Sequence, residues 1–374
     1  MKLTINAKDL SSALTEAKRY VYGKHTIPVL QCCKLVADDN AVSLTVTDLE
    51  TAVTIRLAAE VAESGTAIVS VASLTSAIKG CNGTISLAYF HTVTTTEIEG
   101  IQTETISDGK VTVAGATIPA DISPDCFPEI HTFTGSTEDI PLPCDIPVAD
   151  LQTLIHRTVA CISKEESRFT LNGALFLGAP TGLTMVATDG HRLAKAEVPG
   201  FYAPFKVLLP KFLIGELAKL KARTVSFASD ADHVYFTTAG RSIVARKLTG
   251  NFPDYERVIP KEPGPNVLWV SRAQLLAAAG RVFELKRAER LPGLILHVNG
   301  STAIESRGDI AFSATLPDAH YLGTELEFGC NSAYLVDALK ASTADVVELR
   351  MTDVKSVMVM SEPGYQHLIM PIRL

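Results

Sequence analysis

The segment MVATDGHRLA (185–194) carries the clearest structural pattern of the chain. Apolar residues precede a polar bend, and apolar residues follow it. Asp189 and Gly190 supply the bend. Asp tolerates the left-handed backbone conformation, and Gly adopts positive φ without steric cost. His191 and Arg192 follow directly. The pattern predicts a strand, a turn and a second strand.

The same pattern recurs elsewhere in the chain. SLTVTDLETAV (43–53) carries Thr-Asp at the bend, and AIESRGDIAF (303–312) is a weaker match. A helix with apolar residues at i, i+3 or i+4, and i+7 is predicted ahead of each copy. Leu10 precedes Asp48 by 38 residues, and Leu151 precedes Asp189 by 38 residues. This shared spacing predicts a threefold internal repeat.

Further elements support a repeat of domain size. A second helix is predicted after each copy, followed by strands in which apolar and polar residues alternate. The three copies end at FPE, FPDY and MPI. A period near 125 residues suits a domain, since domains typically hold roughly 100–150 residues. We therefore predict an α+β protein of three domains, 1–130, 131–258 and 259–374, with helices on one face of antiparallel sheets.

The distribution of charge bears on the class of partner. The net charge of −7 argues at first sight against nucleic acid, yet the six predicted helices together carry nine net positive charges. A basic helical face is the electrostatic footprint expected for phosphate backbones. Solvated helices commonly carry Lys and Arg as well, so charge alone leaves both interpretations open.

Several functional classes lack their sequence signals. No apolar run approaches the about 18 residues of a membrane span, and the first residues carry no apolar signal segment. Seven cysteines without a CxxC pair indicate reduced thiols and a cytoplasmic protein. Neither a metal-ligand spacing nor a phosphate-binding Gly-rich motif is found, and we expect no metal and no cofactor.

An enzyme remains the alternative from another class. His191 and Asp189 could act as a base and the group that orients it, but no nucleophile motif accompanies them. Such an enzyme would show a saturable small-molecule activity that is lost in His191→Ala. The sequence favours a scaffold without catalytic activity.

Seven short motifs, in order along the whole chain, resemble those of the bacterial DNA polymerase III beta subunit family, the sliding clamps. They are MKLT (1–4), TIPVL (26–30), TDLE (47–50), LNG (171–173), ATDGHRLA (187–194), NFPDYERV (251–258) and MPIRL (370–374). The resemblance implies a non-catalytic processivity factor. It also implies a head-to-tail homodimer that closes into a ring, with helices lining the hole, sheets forming the rim, and duplex DNA passing through.

The resemblance also implies a pocket between the middle and last domains that receives a short linear peptide. Its partners would be the DNA polymerase III alpha subunit, a separate clamp-loader ATPase, and other polymerases and repair proteins. Apolar side chains would take Leu and Phe of the peptide, while His191, Arg192 and the backbone around Gly190 would fix its register. The implied pocket residues are Leu171, Thr188, Gly190, His191, Arg192, Leu193, Pro253, Arg257, Val258, Val354, Ser356, Leu368, Ile369, Met370, Pro371, Ile372, Arg373 and Leu374.

Matching positions also imply contacts with DNA and with a second protomer. The basic residues expected nearest the DNA are Lys24, Arg168, Lys211 and Arg290. Diffuse positive charge suffices there, because ring closure would retain the duplex. For the dimer, an edge strand carrying Val111 and Val113 should meet Val282 and Phe283. A specialised ring that does not serve the main replicase is the alternative within this fold.

Overall fold

The computed structural model describes residues 1–21, 27–98, 101–133, 135, 144–289, 291–298, 301–308 and 310–373. The α-helices in this part of the chain are Ala7–Ala17 (α1), Val71–Ala77 (α2), Val148–Thr158 (α3), Lys211–Leu217 (α4), Arg272–Leu285 (α5) and Ser332–Ala341 (α6). None of the helices within these ranges is long and apolar enough to cross a membrane.

Within the residues described above, twelve strands lie before, between and after helices α1 to α3. They are Lys2–Asn6 (β1), Cys32–Asp38 (β2), Ala41–Thr47 (β3), Thr51–Glu63 (β4), Gly65–Ser70 (β5), Thr84–Ile98 (β6), Ile101–Val113 (β7), Ala116–Pro119 (β8), Cys144–Pro147 (β9), Gly173–Ala179 (β10), Gly182–Thr188 (β11) and Arg192–Pro199 (β12).

The next thirteen strands of this described part lie before, between and after helices α4 to α6. They are Phe205–Pro210 (β13), Thr224–Ser229 (β14), His233–Thr238 (β15), Arg241–Arg246 (β16), Asn266–Ser271 (β17), Gly293–Val298 (β18), Thr302–Ser306 (β19), Phe312–Thr315 (β20), His320–Leu322 (β21), Leu326–Asn331 (β22), Val346–Met351 (β23), Met358–Glu362 (β24) and Tyr365–Ile369 (β25).

All three predicted strand-turn-strand copies are antiparallel hairpins. β3 pairs with β4, β11 with β12, and β19 with β20. Each copy also has two α-helices, and its strand pairs are antiparallel. The prediction of three repeated α+β clamp domains is therefore confirmed. Their boundaries at 130/131 and 258/259 stay predictions.

The chain folds into two compact units that do not coincide with the three copies. One comprises Met1–Asp145 and Thr224–Arg246, and the other comprises Ile146–Arg223 and Lys247–Leu374. The reason lies in the strand order, since the strand after the first turn and the strand after the second turn each pair with the last strand of the following copy. β4 pairs with β16 in the first unit, and β12 pairs with β25 in the second.

Local chemistry explains where the helices begin and end. The Asn6 side chain accepts a hydrogen bond from the Lys8 amide at 2.9 Å and so caps the start of α1. Leu10 and Leu14 lie buried on the inner face of that helix. The second-copy helix α3 ends at Thr158 and tightens into a 3-10 turn at Val159–Cys161.

The predicted dimer contacts require a correction. Val111 and Val113 do not lie on an edge strand, because β7 pairs with β6 on one side and with β8 on the other at these residues. Their side chains are 0% and 1% exposed, and Val282 is 0% exposed. These three side chains pack inside the chain and cannot reach a partner protomer. Phe283 is half-buried and keeps an accessible surface.

Candidate functional site

The second-copy turn (188–192) is held by its own side chains. The Thr188 hydroxyl donates to the Arg192 carbonyl at 2.7 Å and accepts from the Gly190 amide at 3.1 Å. One carboxylate oxygen of Asp189 accepts from the amides of His191 and Arg192 at 3.0 and 3.1 Å. Gly190 has φ 89°, which is the left-handed region that glycine enters without cost. Thr and Asp therefore specify this turn by satisfying its amides.

The Arg192 guanidinium joins the turn to two other elements. It donates to Asp189 Oδ2 at 2.9 Å, Asp337 Oδ2 at 2.7 Å and the Ala160 carbonyl at 2.5 Å. It also lies 4.3 Å above the centre of the Tyr334 ring. Arg192 is only 9% exposed. Its hydrogen bonds therefore hold the turn in place, and the predicted contact of the guanidinium with a ligand stays a prediction.

A buried histidine lies on β25 behind the turn. His367 Nδ1 is 2.9 Å from the Tyr365 hydroxyl, and Nε2 is 3.8 Å from Cys161 Sγ. Burial, reinforced by the Arg192 charge, lowers the pKa of His367 to about 3. The imidazole is consequently neutral at physiological pH.

The second-copy groove is an apolar surface built where β12 meets β25. The register places Leu193 opposite Leu368, and both pack in one cluster with Leu171. Those three predicted pocket residues are thus brought together. The other buried members of the cluster are Leu175, Val186, Leu208 and Phe252. The half-buried residues packed against it are Leu177, Leu248, Tyr255, Ile259, Val357 and Val359.

Pro253 lies at a cavity of about 340 Å³ that extends this groove. Leu177, Lys206 and Tyr255 also line the cavity, and none of them was identified from the sequence. Leu175 and Leu177 could have been found from the strand alternation, since residues two apart on β10 share a face. The predicted Arg257 and Val258 lie exposed beyond the cavity, and Arg257 pairs with Asp254 at 2.7 Å.

The C-terminal segment lies against the second-copy turn. The Met370 amide donates to the His191 carbonyl at 2.9 Å, and the Ile372 amide donates to the Gly329 carbonyl at 2.9 Å. Met370 is 40% exposed, Pro371 and Ile372 are half-buried, and the Arg373 side chain is exposed. The turn and the tail are therefore brought together as predicted. Leu374 lies outside the described residues.

Val354 and Ser356 occupy the loop between β23 and β24. The Asp353 carboxylate accepts from the Lys355 and Ser356 amides at 2.8 and 2.7 Å. Val354 is 45% exposed, and Ser356 is half-buried. Their neighbour Val357 makes the contact with the apolar cluster.

The predicted DNA-facing residues divide into two groups. Lys211 is exposed at the first position of α4. Arg168 instead lies beside the second-copy turn, because its guanidinium pairs with Glu165 at 2.8 Å and donates to the Asp189 carbonyl at 3.2 Å. Lys24 and Arg290 lie outside the described residues.

The geometry needed for an enzyme is not formed at the turn. The carboxylate of Asp189 bonds to backbone amides and to Arg192, and these contacts use the oxygens that would have to orient the His191 imidazole. Within the described ranges, no group of three or more His, Cys, Asp or Glu side chains could hold a metal ion.

Comparisons with known proteins agree along the chain. Profiles of the DNA polymerase III beta subunit match in order, with the N-terminal domain at residues 1–89, the central domain at 145–254 and the C-terminal domain at 256–373. The beta sliding clamp of Pseudomonas putida is 29% identical over 396 aligned residues, which cover 100% of both chains.

Solved structures give the same result. The DNA polymerase III subunit beta of Pseudomonas aeruginosa superimposes with a TM-score of 0.87 and 27% identity, covering 100% of each chain. A P. aeruginosa sliding clamp bound to griselimycin gives a TM-score of 0.86 and 26% identity over the same coverage. Since the repeat, the fold and the sequence comparisons agree, the chain belongs to the DNA polymerase III beta subunit family, the non-catalytic sliding clamps that act as processivity factors.

Proposed function

We propose that this sliding clamp tethers a DNA polymerase to duplex DNA through a peptide bound in the second-copy groove. One observation carries the proposal, namely that pairing of β12 with β25 gathers Leu171, Leu193 and Leu368 beside an exposed tail. A surface of this kind suits Leu and Phe side chains of a linear peptide. The exposed His191 supplies a polar group at its rim.

The residues that would contact the peptide follow from this geometry. Leu171, Leu193 and Leu368 form the floor, while Pro253 and Met370 lie at the edges. The polymerase III alpha subunit, the clamp loader, and other polymerases and repair proteins would compete for this groove. Arg192 would act indirectly by holding the turn in place.

The contact with DNA would be diffuse and independent of sequence. Exposed Lys211, Lys221 and Arg223 lie on α4 and the segment after it. Such charges attract phosphates, and closure of the ring would keep the clamp on DNA without tight contacts. Arg157 is not expected to contribute, because it is half-buried and paired with Glu362 at 2.8 Å.

Ring closure would need a head-to-tail homodimer, and a separate ATPase would load it in the cytoplasm. Of the four predicted interface residues, Phe283 is the one that fits this role, since it alone keeps an accessible side chain. A ring that serves another process is not favoured, because the relatives matched over the full length are named beta sliding clamps.

Retention on circular DNA tests the proposal. A dimer loaded onto a nicked circular plasmid is expected to co-elute with the DNA, and to be released when a single double-strand cut lets it slide off the end. Equal retention on circular and linear DNA would contradict an encircling ring.

A further inference from the structure

A groove of about 750 Å³ crosses the first unit at the first-copy repeat. Its walls include Lys34, Val36, Thr45, Ala52 and Val244. We call it the first-copy groove. Neither the family match nor the function proposed above assigns it a role.

The turn beside this groove repeats the second-copy turn bond for bond. The Thr47 hydroxyl donates to the Thr51 carbonyl at 3.1 Å and accepts from the Leu49 amide at 3.0 Å. The Asp48 carboxylate accepts from the Glu50 and Thr51 amides at 3.0 and 2.6 Å. We call residues 47–51 the first-copy turn. The two grooves therefore begin from the same local structure.

Strand pairing makes the two grooves equivalent position by position. Ala52 faces Val244 across β4 and β16, as Leu193 faces Leu368 across β12 and β25. Both pairs stand at the same distance from their turns. Each groove is thus floored by the strand after its turn and by the last strand of the following copy.

The opposite wall shows the same equivalence. Lys34 faces Ile68 across β2 and β5, as Leu175 faces Leu208 across β10 and β13. A buried Phe followed by Pro closes both copies, at 127–128 and 252–253. The first-copy groove therefore has the same construction as a surface that binds a peptide in the proposed function.

A segment of the chain itself forms one wall of the first-copy groove. It comprises residues 129–133, which we call the linker segment. Ile130 and Phe133 are half-buried and pack against Ala228, Tyr235 and Val244. The Phe133 and Tyr235 rings are 5.6 Å apart.

Exposed residues of the same segment add a second contact. His131 and Thr132 are exposed, and the His131 ring stacks on that of His233 at 4.1 Å between centroids. The segment thus presents two apolar side chains three residues apart to the groove. That is the arrangement a short linear peptide would use.

We propose that the first-copy groove is a second peptide-binding groove whose apolar contact sites are occupied by Ile130 and Phe133 of the linker segment. Its ligand class, once the segment is released, is a linear peptide with two apolar side chains three residues apart, as in Ile130 and Phe133. The choice of ligand rests on the proposed function of the second-copy groove.

The lining explains why the chain's own segment holds this groove. Lys34, Thr45 and Ala52 stand where the second-copy groove has Leu175, Val186 and Leu193, so less apolar area is available. Burial of apolar surface yields about 25 cal/mol per Å², so a free peptide binds here more weakly. A tethered segment has an effective concentration on the order of millimolar and outcompetes it.

The test is a titration with a labelled peptide of sequence EIHTF, the linker segment itself, against the full chain. In Ile130→Asp/Phe133→Asp the two inward anchors are lost and the groove opens. Thr132→Asp is the matched control, because it adds a carboxylate to the same segment at an exposed residue between the two anchors. We expect one peptide bound per chain in the anchor variant, and none in the intact chain or the control.

Two further measurements keep the outcome decisive. Ile130→Gly/Phe133→Gly removes the anchors without burying a charge and should behave like the Asp variant. Unchanged binding of a Gln-Leu-x-Leu-Phe peptide at the second-copy groove reports that each variant is folded. Absence of saturable EIHTF binding at millimolar concentration in both anchor variants would overturn the proposal. If the Gln-Leu-x-Leu-Phe peptide does not bind the intact chain, that result would instead contradict the proposed function.

Discussion

The second-copy groove and the first-copy groove share a backbone and differ in their lining. Each starts from a Thr-Asp turn and continues into a strand that pairs with the end of the next copy. The equivalent lining residues are Leu175, Val186, Leu193 and Leu368 in the second copy, and Lys34, Thr45, Ala52 and Val244 in the first. The turn and the strand pairing determine the shape of each groove. In our proposals, the lining side chains determine whether a partner peptide or the linker segment binds there.

The residues that close the two turns also differ. Arg192 closes the second-copy turn and bonds to two other elements, whereas Thr51 closes the first through its backbone. The middle position is Gly190 at φ 89° in one copy and Leu49 at φ 77° in the other. The second-copy turn is therefore anchored by long-range contacts, while the first tolerates a strained residue.

Replacing Arg192 by the first-copy residue should have the largest effect. Arg192→Thr leaves the carboxylates of Asp189 and Asp337 without their cation. Because Asp337 is partly exposed, the loss should lie at the lower end of the about 3–5 kcal/mol that is typical of a broken buried pair. Urea unfolding followed by Trp269, the single tryptophan, measures this in the second unit. Lys195→Thr on the same strand removes an exposed pair with Glu197, which should cost at most about 1 kcal/mol. Equal losses would contradict the anchoring role of Arg192.

His367 should make the second-copy site acid-sensitive in a way that the first is not. The equivalent first-copy residue is Ile243, since Val53 faces Ile243 as Ala194 faces His367. The pKa of His367 falls from about 6.5 in the unfolded chain to about 3 in the fold, so below pH 6.5 the unfolded chain binds the extra proton. The free energy of unfolding consequently decreases as the pH falls from 6.5 towards 3, because protonation of residue 367 favours the unfolded chain.

Unfolding experiments at pH 7 and pH 4 measure that contribution. The neutral imidazole should account for about 3 kcal/mol of the loss of unfolding free energy between the two values, since one pKa unit is worth 1.36 kcal/mol. His367→Ile should show a pH dependence smaller by this amount, although it loses the Tyr365 hydrogen bond at both values. An unchanged pH dependence would show that His367 is not neutral in the fold.

Exchanging the middle residues of the two turns should have the smallest effect, and an unequal one. Gly190→Leu forces a side chain into the left-handed region, at about 1–2 kcal/mol, and its Cβ would lie 2.8 Å from Arg168 Nη1. Leu49→Gly relieves similar strain in the folded chain but raises the entropy of the unfolded chain. These two contributions to the free energy of unfolding nearly cancel. Thermal unfolding of both variants checks this. Equal destabilisation would indicate that the turns do not share one conformation.

The repeat and its hairpins could be predicted because their signals are local. The Thr-Asp turns, the strand alternation and the equal spacing of Leu10 to Asp48 and Leu151 to Asp189 all lie within short windows. The shared site of the turn and the C-terminal tail was instead implied by the resemblance to the sliding clamps, because no local signal pairs residues so far apart in sequence.

The errors concern contacts between residues far apart in sequence. The hydrogen bond from Arg192 to Asp337 could not be predicted either, because the two residues are 145 positions apart along the chain. Val111 was expected on an edge strand, yet the four residues of β8 cover that edge. A strand this short carries little alternation, and pairing partners are not encoded in a local pattern.

The most direct test of the account is a titration of a labelled Gln-Leu-x-Leu-Phe peptide against the intact chain and a chain lacking residues 370–374. The tail contacts the second-copy turn, since the Met370 amide donates to the His191 carbonyl. We expect saturable binding of one peptide per intact chain and loss of binding after truncation. Equal binding by both chains, or binding by neither, would contradict the assignment of the second-copy groove as the partner site.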